Sequence, residues 1–141
     1  MNVQAAPWLH LPWIIDRAGI SATLGFKAIE AVGDDGKIHG MVGYDGWTEN
    51  SVIMSIALEN PACFRSLLRP MFEYAFLQAG KGVAFATVRA TNSRSVRLTE
   101  RAGFREAYRL KDAITVGEDM IIFEMRREDC RWIPEQYRKA A

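Results

Sequence analysis

SVIMSIALENPACFRSLLRPMFEYAFLQAGKGVAFATV, residues 51–88, decides the fold. Ser51–Leu58 is aliphatic and β-branched with only Ser51 and Ser55 polar, which predicts a strand buried on both faces. Phe64, Leu67, Leu68, Met71, Phe72, Ala75, Phe76 and Ala79 then recur at three- and four-residue spacing, the stripe of an amphipathic helix. Asn60-Pro61 reads as its N-cap and first-turn proline, and Gly80 as its stop. Pro70 either kinks this helix or marks a later start, because it has no N–H to donate. Val83–Val88 reads as a second buried strand. Strand, helix, strand implies a parallel pair with a right-handed crossover.

Upstream, a short helix is expected at Trp13–Ala18, ended by Gly19. Leu24–Val32 reads as a strand with Phe26, Ala28 and Glu30 alternating. The turn Gly33-Asp34-Asp35-Gly36 leads into a return strand, Lys37–Tyr44, and Asp45-Gly46 makes a second turn. Downstream, Asn92–Ala102 reads as a helix closed by Gly103-Phe104. Phe104–Leu110 and Met120–Met125 read as a final strand pair. The hairpins are antiparallel, so the expected class is α+β with a mixed, mostly antiparallel sheet and flanking helices.

The 141 residues make one domain, with a core over about residues 20–127 and a C-terminal segment at 128–141. With 49% hydrophobic and 25% charged residues, the chain has enough apolar material for a real core, which argues against disorder. The longest apolar run, Val52–Leu58, is itself interrupted by Ser55 and is far too short to span a membrane. Met1–Ile15 has no charged side chain, carries Pro7 and Pro12 and lacks a basic leader, so it is read as part of the fold. Cys63 and Cys130 have no metal-ligand spacing, which predicts a reducing, cytoplasmic setting and no metal.

Net charge is +1, which argues against a nucleic acid as the main partner. The distribution is uneven. Residues 1–60 carry three basic and seven acidic side chains, whereas residues 89–111 carry seven and two. Such asymmetry suggests an anionic ligand beside the second stretch and a cationic one elsewhere, the acidic N-terminal half hinting at a cationic amine. On a helix, Arg94, Arg97 and Arg101 share one face, with Val96, Thr99 and Ala102 roughly opposite. The strand-to-helix junction near Asn60–Ser66 offers free N–H groups, a helix dipole and Arg65. Each feature also has a plainer reading: Asn92 as a cap, the arginines as a solvated face.

Asn92-x-x-Ser95-x-x-Leu98-x-Glu100-x-x-Gly103-Phe104, directly after a buried strand, resembles the second cofactor-contact motif of the GNAT acetyltransferase superfamily. The order of elements over about residues 20–127 is similar to that fold. The motif most resembles the ribosomal-protein N-terminal acetyltransferase branch. The ending Glu128-Asp129-Cys130-Arg131-Trp132 is similar to small phage and prophage members. The resemblance implies acetyl-CoA as cosubstrate, lying where Ser51–Leu58 and Val83–Val88 splay apart. Backbone near Ile56 and Leu58 would meet its pantetheine arm. The helix N-terminus, with Arg65 and Ser66, would hold the pyrophosphate. Asn92 and Ser95 would touch the cofactor further along, and the arginine face, Arg97 included, would meet the 3′-phosphate.

Two features depart from the family pattern. Its pyrophosphate loop usually carries glycines, but Glu59–Ser66 has none. Many members place a Tyr seven residues after the Asn, where this chain has Thr99.

The implied reaction is direct transfer of an acetyl group to an amine, which needs alignment, oxyanion stabilisation and a proton acceptor. The nearest carboxylates are Asp45, Glu49 and Glu59. Glu49 is preferred because its loop leads into the central strand. Tyr44 and Tyr108 are candidate acids, and Trp47 lines an acceptor pocket or fills the hairpin end. His10, His39 and Cys63 are read as structural. The C-terminal stretch Trp132–Ala141 is a docking segment or a tail. Two alternatives accompany the transferase reading. One is a catalytically degenerate GNAT-fold binding or assembly module, with which a homodimer is compatible. The other is a nucleic-acid binder using the arginine face. The acceptor amine is not legible.

Overall fold

The computed structural model describes residues 1–139. The chain starts with β1 (Asn2–Ala5) and a single turn of 3-10 helix at Trp8–His10, which leads into α1 (Leu11–Ala18). The hairpin β2 (Lys27–Val32) and β3 (Ile38–Asp45) follows, then β4 (Ser51–Leu58). A 3-10 turn at Pro61–Cys63 opens α2 (Phe64–Phe72), which widens into a π-helical stretch at Glu73–Gln78. β5 (Val83–Arg89), α3 (Ser93–Ala102), β6 (Arg105–Thr115) and β7 (Glu118–Arg126) complete the domain. The strands form one seven-stranded sheet in the order β1-β2-β3-β4-β5-β7-β6, antiparallel except for β4–β5. The α+β class, the mixed sheet and the parallel pair are as expected.

Helix ends follow local chemistry. Gly19 takes a φ of 62° and its N–H closes α1 on the Ile15 carbonyl. The Asn60 side chain accepts from the Ala62 N–H at 3.0 Å, capping the turn that leads into α2. Pro70 lies inside α2 without breaking it. The turn that widens begins three residues later, and the Tyr44 hydroxyl donates to the Met71 carbonyl at 2.7 Å in the last turn of α2 before it. Of the two readings of Pro70, a later start is therefore ruled out.

The sheet divides the core in two. On one face, Val42, Tyr44, Val52, Met54, Ala84, Ile121 and Phe123 pack against Leu67, Phe72 and Phe76 of the α2 segment and Ala102 of α3. On the other, Ile14 of α1 packs with Phe26, Ala28, Met41 and Ala57. Ile133 and Cys130 are buried, and the Trp132 indole N–H donates to the Ala102 carbonyl at 2.7 Å. The C-terminal stretch is thus a docking segment, except for its last two residues, which lie outside the described part.

Several sequence expectations need correction. β2 starts at Lys27 rather than Leu24, which lies in the preceding loop and is fully exposed. The closing strands run on to Thr115 and Arg126. β4 and β5 are not buried on both faces: among the β5 residues only Ala84 is fully buried, and β4 alternates buried and half-buried positions. Both strands border open space at their C-terminal ends, and at the paired end Ser51, Ile53, Val83 and Phe85 are only half-buried. No helix among the described residues is long and apolar enough to cross a membrane.

Candidate functional site

β4 and β5 pair only at Ser51–Val83, Val52–Ala84 and Ile53–Phe85. Beyond Ile53, β4 stays bonded to β3 as far as Leu58, while β5 stays bonded to β7 as far as Arg89. Each strand follows its own neighbour, so the two part. The β5-facing backbone edge of residues 54–58 is therefore left without a strand partner.

A cavity of about 740 Å³ fills the fork. Its walls are residues 54–59 of the β4 side and 86–89 of β5. α3 contributes Arg94, Ser95, Leu98 and Thr99, and the end of α1 contributes Arg17. Phe104, buried, and Met120 close it further.

The sequence-derived site residues divide cleanly. Ile56, Leu58, Asn92 and Ser95 come together in this cleft. Arg65, Ser66 and Arg97 do not line it; its wall on the α2 side ends at Glu59, and α3 presents Arg94 rather than Arg97. An arginine stripe two turns long has only part of its width facing the fork, and helical spacing alone did not say which residue that would be. Asn92 also caps α3, its Oδ1 accepting from the Ser95 N–H at 3.1 Å, so it holds the helix end and lines the cleft at once.

Neither residue favoured for proton transfer lies in the cleft. Glu49 belongs to the loop before the first residue of β4, at the zipped end of the strand, where its carbonyl accepts from Lys81 Nζ at 3.2 Å. Tyr44 has no exposed surface and spends its hydroxyl proton on the Met71 carbonyl. Burial, with Tyr74 beside it, pushes its phenol well above the ordinary range. Tyr108 is an exposed side chain of β6. Trp47 fills the hairpin end, its indole N–H donating to the Gly25 carbonyl at 2.8 Å. The Thr99 hydroxyl donates to the Ser95 carbonyl at 2.7 Å and is buried.

Of the three carboxylates weighed from sequence, Glu59 is the one at the cleft. It pairs with Arg17 at 3.2 Å. Asp45 is tied to Thr23, accepting from its backbone N–H at 2.8 Å and its hydroxyl at 2.5 Å. Burial pushes the Asp45 carboxyl up, but the Thr23 and Gly46 hydrogen bonds outweigh it and leave the group below its usual value. Of the three cleft arginines, Arg17 is paired with Glu59 and Arg89 with Glu118 at 3.6 Å, whereas Arg94 makes no ion pair among the described residues. Cys63 and Cys130 are free and buried, and burial pushes both thiols up, which suits structural roles. No cluster of three or more metal-ligating side chains occurs among the described residues.

Sequence reasoning missed Arg17 as a cleft residue and named Arg94 only as one member of the arginine face. Arg17 carried no signal, because α1 reaches the fork only through the tertiary fold. Arg94 had one: it is the arginine nearest Asn92.

No protein-family model matches the chain, and no curated protein does. Solved structures do. The spermidine/spermine N-acetyltransferase SpeG from Vibrio cholerae, in complex with manganese ions, superposes with a TM-score of 0.73 at 14% identity, covering 89% of this chain and 91% of that one. The F149A mutant of the Vibrio cholerae spermidine N-acetyltransferase gives 0.77 at 12% identity, over 96% and 99% of the two chains. A dodecameric structure of the Vibrio cholerae enzyme in an intermediate state gives 0.72 at 14% identity, over 89% and 92%. The chain has the GNAT fold. The likeness is one of fold; it does not extend to the ribosomal-protein branch or the phage-type grouping.

Proposed function

We propose that the protein is an acetyl-CoA-dependent N-acetyltransferase that moves an acetyl group directly to a primary amine. The observation that carries this reading is the fork: two parallel strands bonded over three residue pairs and then parted around a cleft of about 740 Å³. The residues present suit the cosubstrate. The unpaired edge of residues 54–58 can hydrogen-bond an extended amide-bearing arm as an added strand would. Ile56, Leu58 and Leu98 offer apolar contact, and Arg94 offers an uncompensated charge for a phosphate group. Acetyl-CoA would supply the activated acyl group.

The chain's own residues account for the rest. Free N–H groups on the β4 edge stabilise negative charge developing on the acyl oxygen. Glu59, at the rim of the cleft, accepts the proton that the incoming ammonium must lose, directly or through water, replacing Glu49 in that role. Arg17 orients the Glu59 carboxylate. No tyrosine faces the cleft among the described residues, so the departing thiolate takes its proton from water. The setting is the reducing cytoplasm, in keeping with two free cysteines.

Calorimetric titration with acetyl-CoA and with CoA tests the proposal. Binding of both, together with acetylation of a simple primary amine, is the expected result. Absence of binding at millimolar cosubstrate would leave a non-catalytic module on this fold. The glycine-free Glu59–Ser66 stretch is the feature that favours that second reading.

A further inference from the structure

The fork is open to both faces of the sheet. Ile56 and Leu58 of β4 pack on the α2-side core, as do Val96 and Leu98 of α3, so Arg94 meets the cleft from that face. Ala57 packs on the opposite face with Ile14 of α1. Val88 and Ile121 pair on the α2 side, so their neighbours Arg89 and Met120, also paired, face the other way. With the phosphate end of the cosubstrate assigned to Arg94, the face left for the amine is that of α1.

Charge on this face is already balanced. Arg17 pairs with Glu59 at 3.2 Å and Arg89 with Glu118 at 3.6 Å, and Glu118 also accepts from Thr91 Oγ1 at 2.7 Å. Glu59 is the only carboxylate lining the cleft among the described residues, against Arg17, Arg89 and Arg94. The other acidic side chains of residues 1–60 do not line it. Glu30 is buried, with His10 Nδ1 at 2.7 Å and Gln4 Nε2 at 2.8 Å; Asp45 is tied to Thr23; Glu49 sits at the zipped end. The acidity of the N-terminal half is therefore not an acidity of the cleft. Once Glu59 serves the reacting amine, a second ammonium would lie beside two guanidinium groups with no carboxylate of its own.

What the cleft does offer here is apolar surface: Ile20, Ala57, Ile114 and Met120 line it. The strip continues outside, where Met120 lies opposite Leu110, and Ile122 opposite Tyr108, on the same face of β7 and β6. Leu110 is 37% and Tyr108 63% exposed, and none of these four side chains belongs to either core cluster.

We propose that the acceptor is a primary amine with a single charge, carried on an uncharged apolar body that lies against Ile114 and Met120 and runs out over Leu110 and Ile122. The proposal rests on the acyl-transfer reading for its reaction. It makes Ile114 and Met120 specificity determinants rather than catalytic residues, and it makes polyamines poor acceptors.

The test compares hexylamine with hexane-1,6-diamine, which has the same carbon chain and a second ammonium. With acetyl-CoA, hexylamine should exceed the diamine at least about tenfold in kcat/KM. It should exceed butylamine about tenfold as well, through two more buried methylene groups. Met120→Glu should bring the hexylamine-to-diamine ratio down to one or below, whereas Met120→Gln, alike in size but uncharged, should not. Ile114→Glu makes the same change from the half-buried hairpin and guards against a folding defect in the first variant. Equal or better use of the diamine by the parent chain, equal use of butylamine and hexylamine, or a ratio unmoved in both Glu variants would overturn the proposal.

A second arm needs no turnover. N-hexylacetamide and N-(6-aminohexyl)acetamide, the products of the two reactions, are titrated with CoA present while the Met120 ε-methyl group is followed by NMR, its signal assigned by its loss in Met120→Leu. A shift with the first that needs at least about tenfold more of the second supports the proposal. A signal that neither moves, or that both move alike, overturns it, whether or not the chain transfers acetyl groups.

Discussion

Over Ser51–Ile53, β4 is zipped to β5, and the Val52–Ala84 pair has no exposed surface. From Met54 to Leu58 the same strand faces open space on its β5 side, although its composition barely changes. The two halves differ in what lies beyond them. In the first, β5 is near enough to accept β4's hydrogen bonds. In the second, β3 and β7 have drawn the two strands apart. Apolar residues in the zipped half serve the fold alone; those in the open half also form a wall of the cleft, Met54 and Ala57 from within the core. A backbone left unpaired within a sheet must be satisfied by something, and here that something is solvent or a guest.

This contrast can be broken by mutation, and the largest effect belongs to the zipped half. Val52→Asp puts a charge with no partner into the core. It should cost at least about 3 kcal/mol, a large share of the stability of a domain of this size, and lower the urea midpoint accordingly. Ser55→Asp, in the open half, should fold with a urea midpoint close to the parent. If the two variants unfold alike, the halves are not distinct. Next comes ligand binding. Arg94→Ala should weaken CoA about tenfold by calorimetry with an unchanged melting temperature, whereas Arg97→Ala, off the cleft, should leave affinity as it was. Equal losses would mean that the whole arginine stripe, not one residue, faces the cosubstrate.

Asn92 sharpens the comparison because it serves both fold and cleft. Asn92→Ala should lower stability by about 1 kcal/mol through loss of the α3 cap and weaken CoA more than His39→Ala does. Asn92→Ser keeps a capping oxygen and should restore stability while leaving CoA binding reduced. Restoration of both would make Asn92 a cap and nothing more.

The smallest effect lies near the zipped end. The Asp45 carboxyl sits below its ordinary value of 3.8, because the hydrogen bonds of Thr23 and Gly46 outweigh its burial. Its stabilisation is therefore present above that unfolded value and is lost as pH falls through the lower folded one. Asp45→Asn should be slightly less stable than the parent at neutral pH, with the gap closing below about pH 4 in acid-urea titrations. A gap that widens in acid would contradict the assignment.

Much of this architecture was legible in the chain because it depends on local pattern. The eight residues of β4, the Asn60 and Asn92 caps and the Gly19 and Gly103 stops are each written in a few neighbouring side chains. Ile56, Leu58, Asn92 and Ser95 were traceable for the same reason, since they sit on or beside elements with strong patterns. Three things were not legible. The end of α1 reaches the fork only through packing on Ala57 and Met41, so Arg17 was invisible. Glu49 and Glu59 flank the same strand and look equivalent as text, yet the fork opens at only one of its ends. His10 and Glu30 are twenty residues apart, and nothing near either announces their pairing.

Amide hydrogen exchange of residues 54–58, with and without saturating CoA, tests the parted pair as a ligand slot most directly. With the cosubstrate in the fork, β4 amides beyond Ile53 that point towards β5 should slow at least about tenfold, while those of residues 51–53, already bonded, should not change. Binding of CoA with exchange at residues 54–58 unaltered would put the ligand elsewhere and contradict the account.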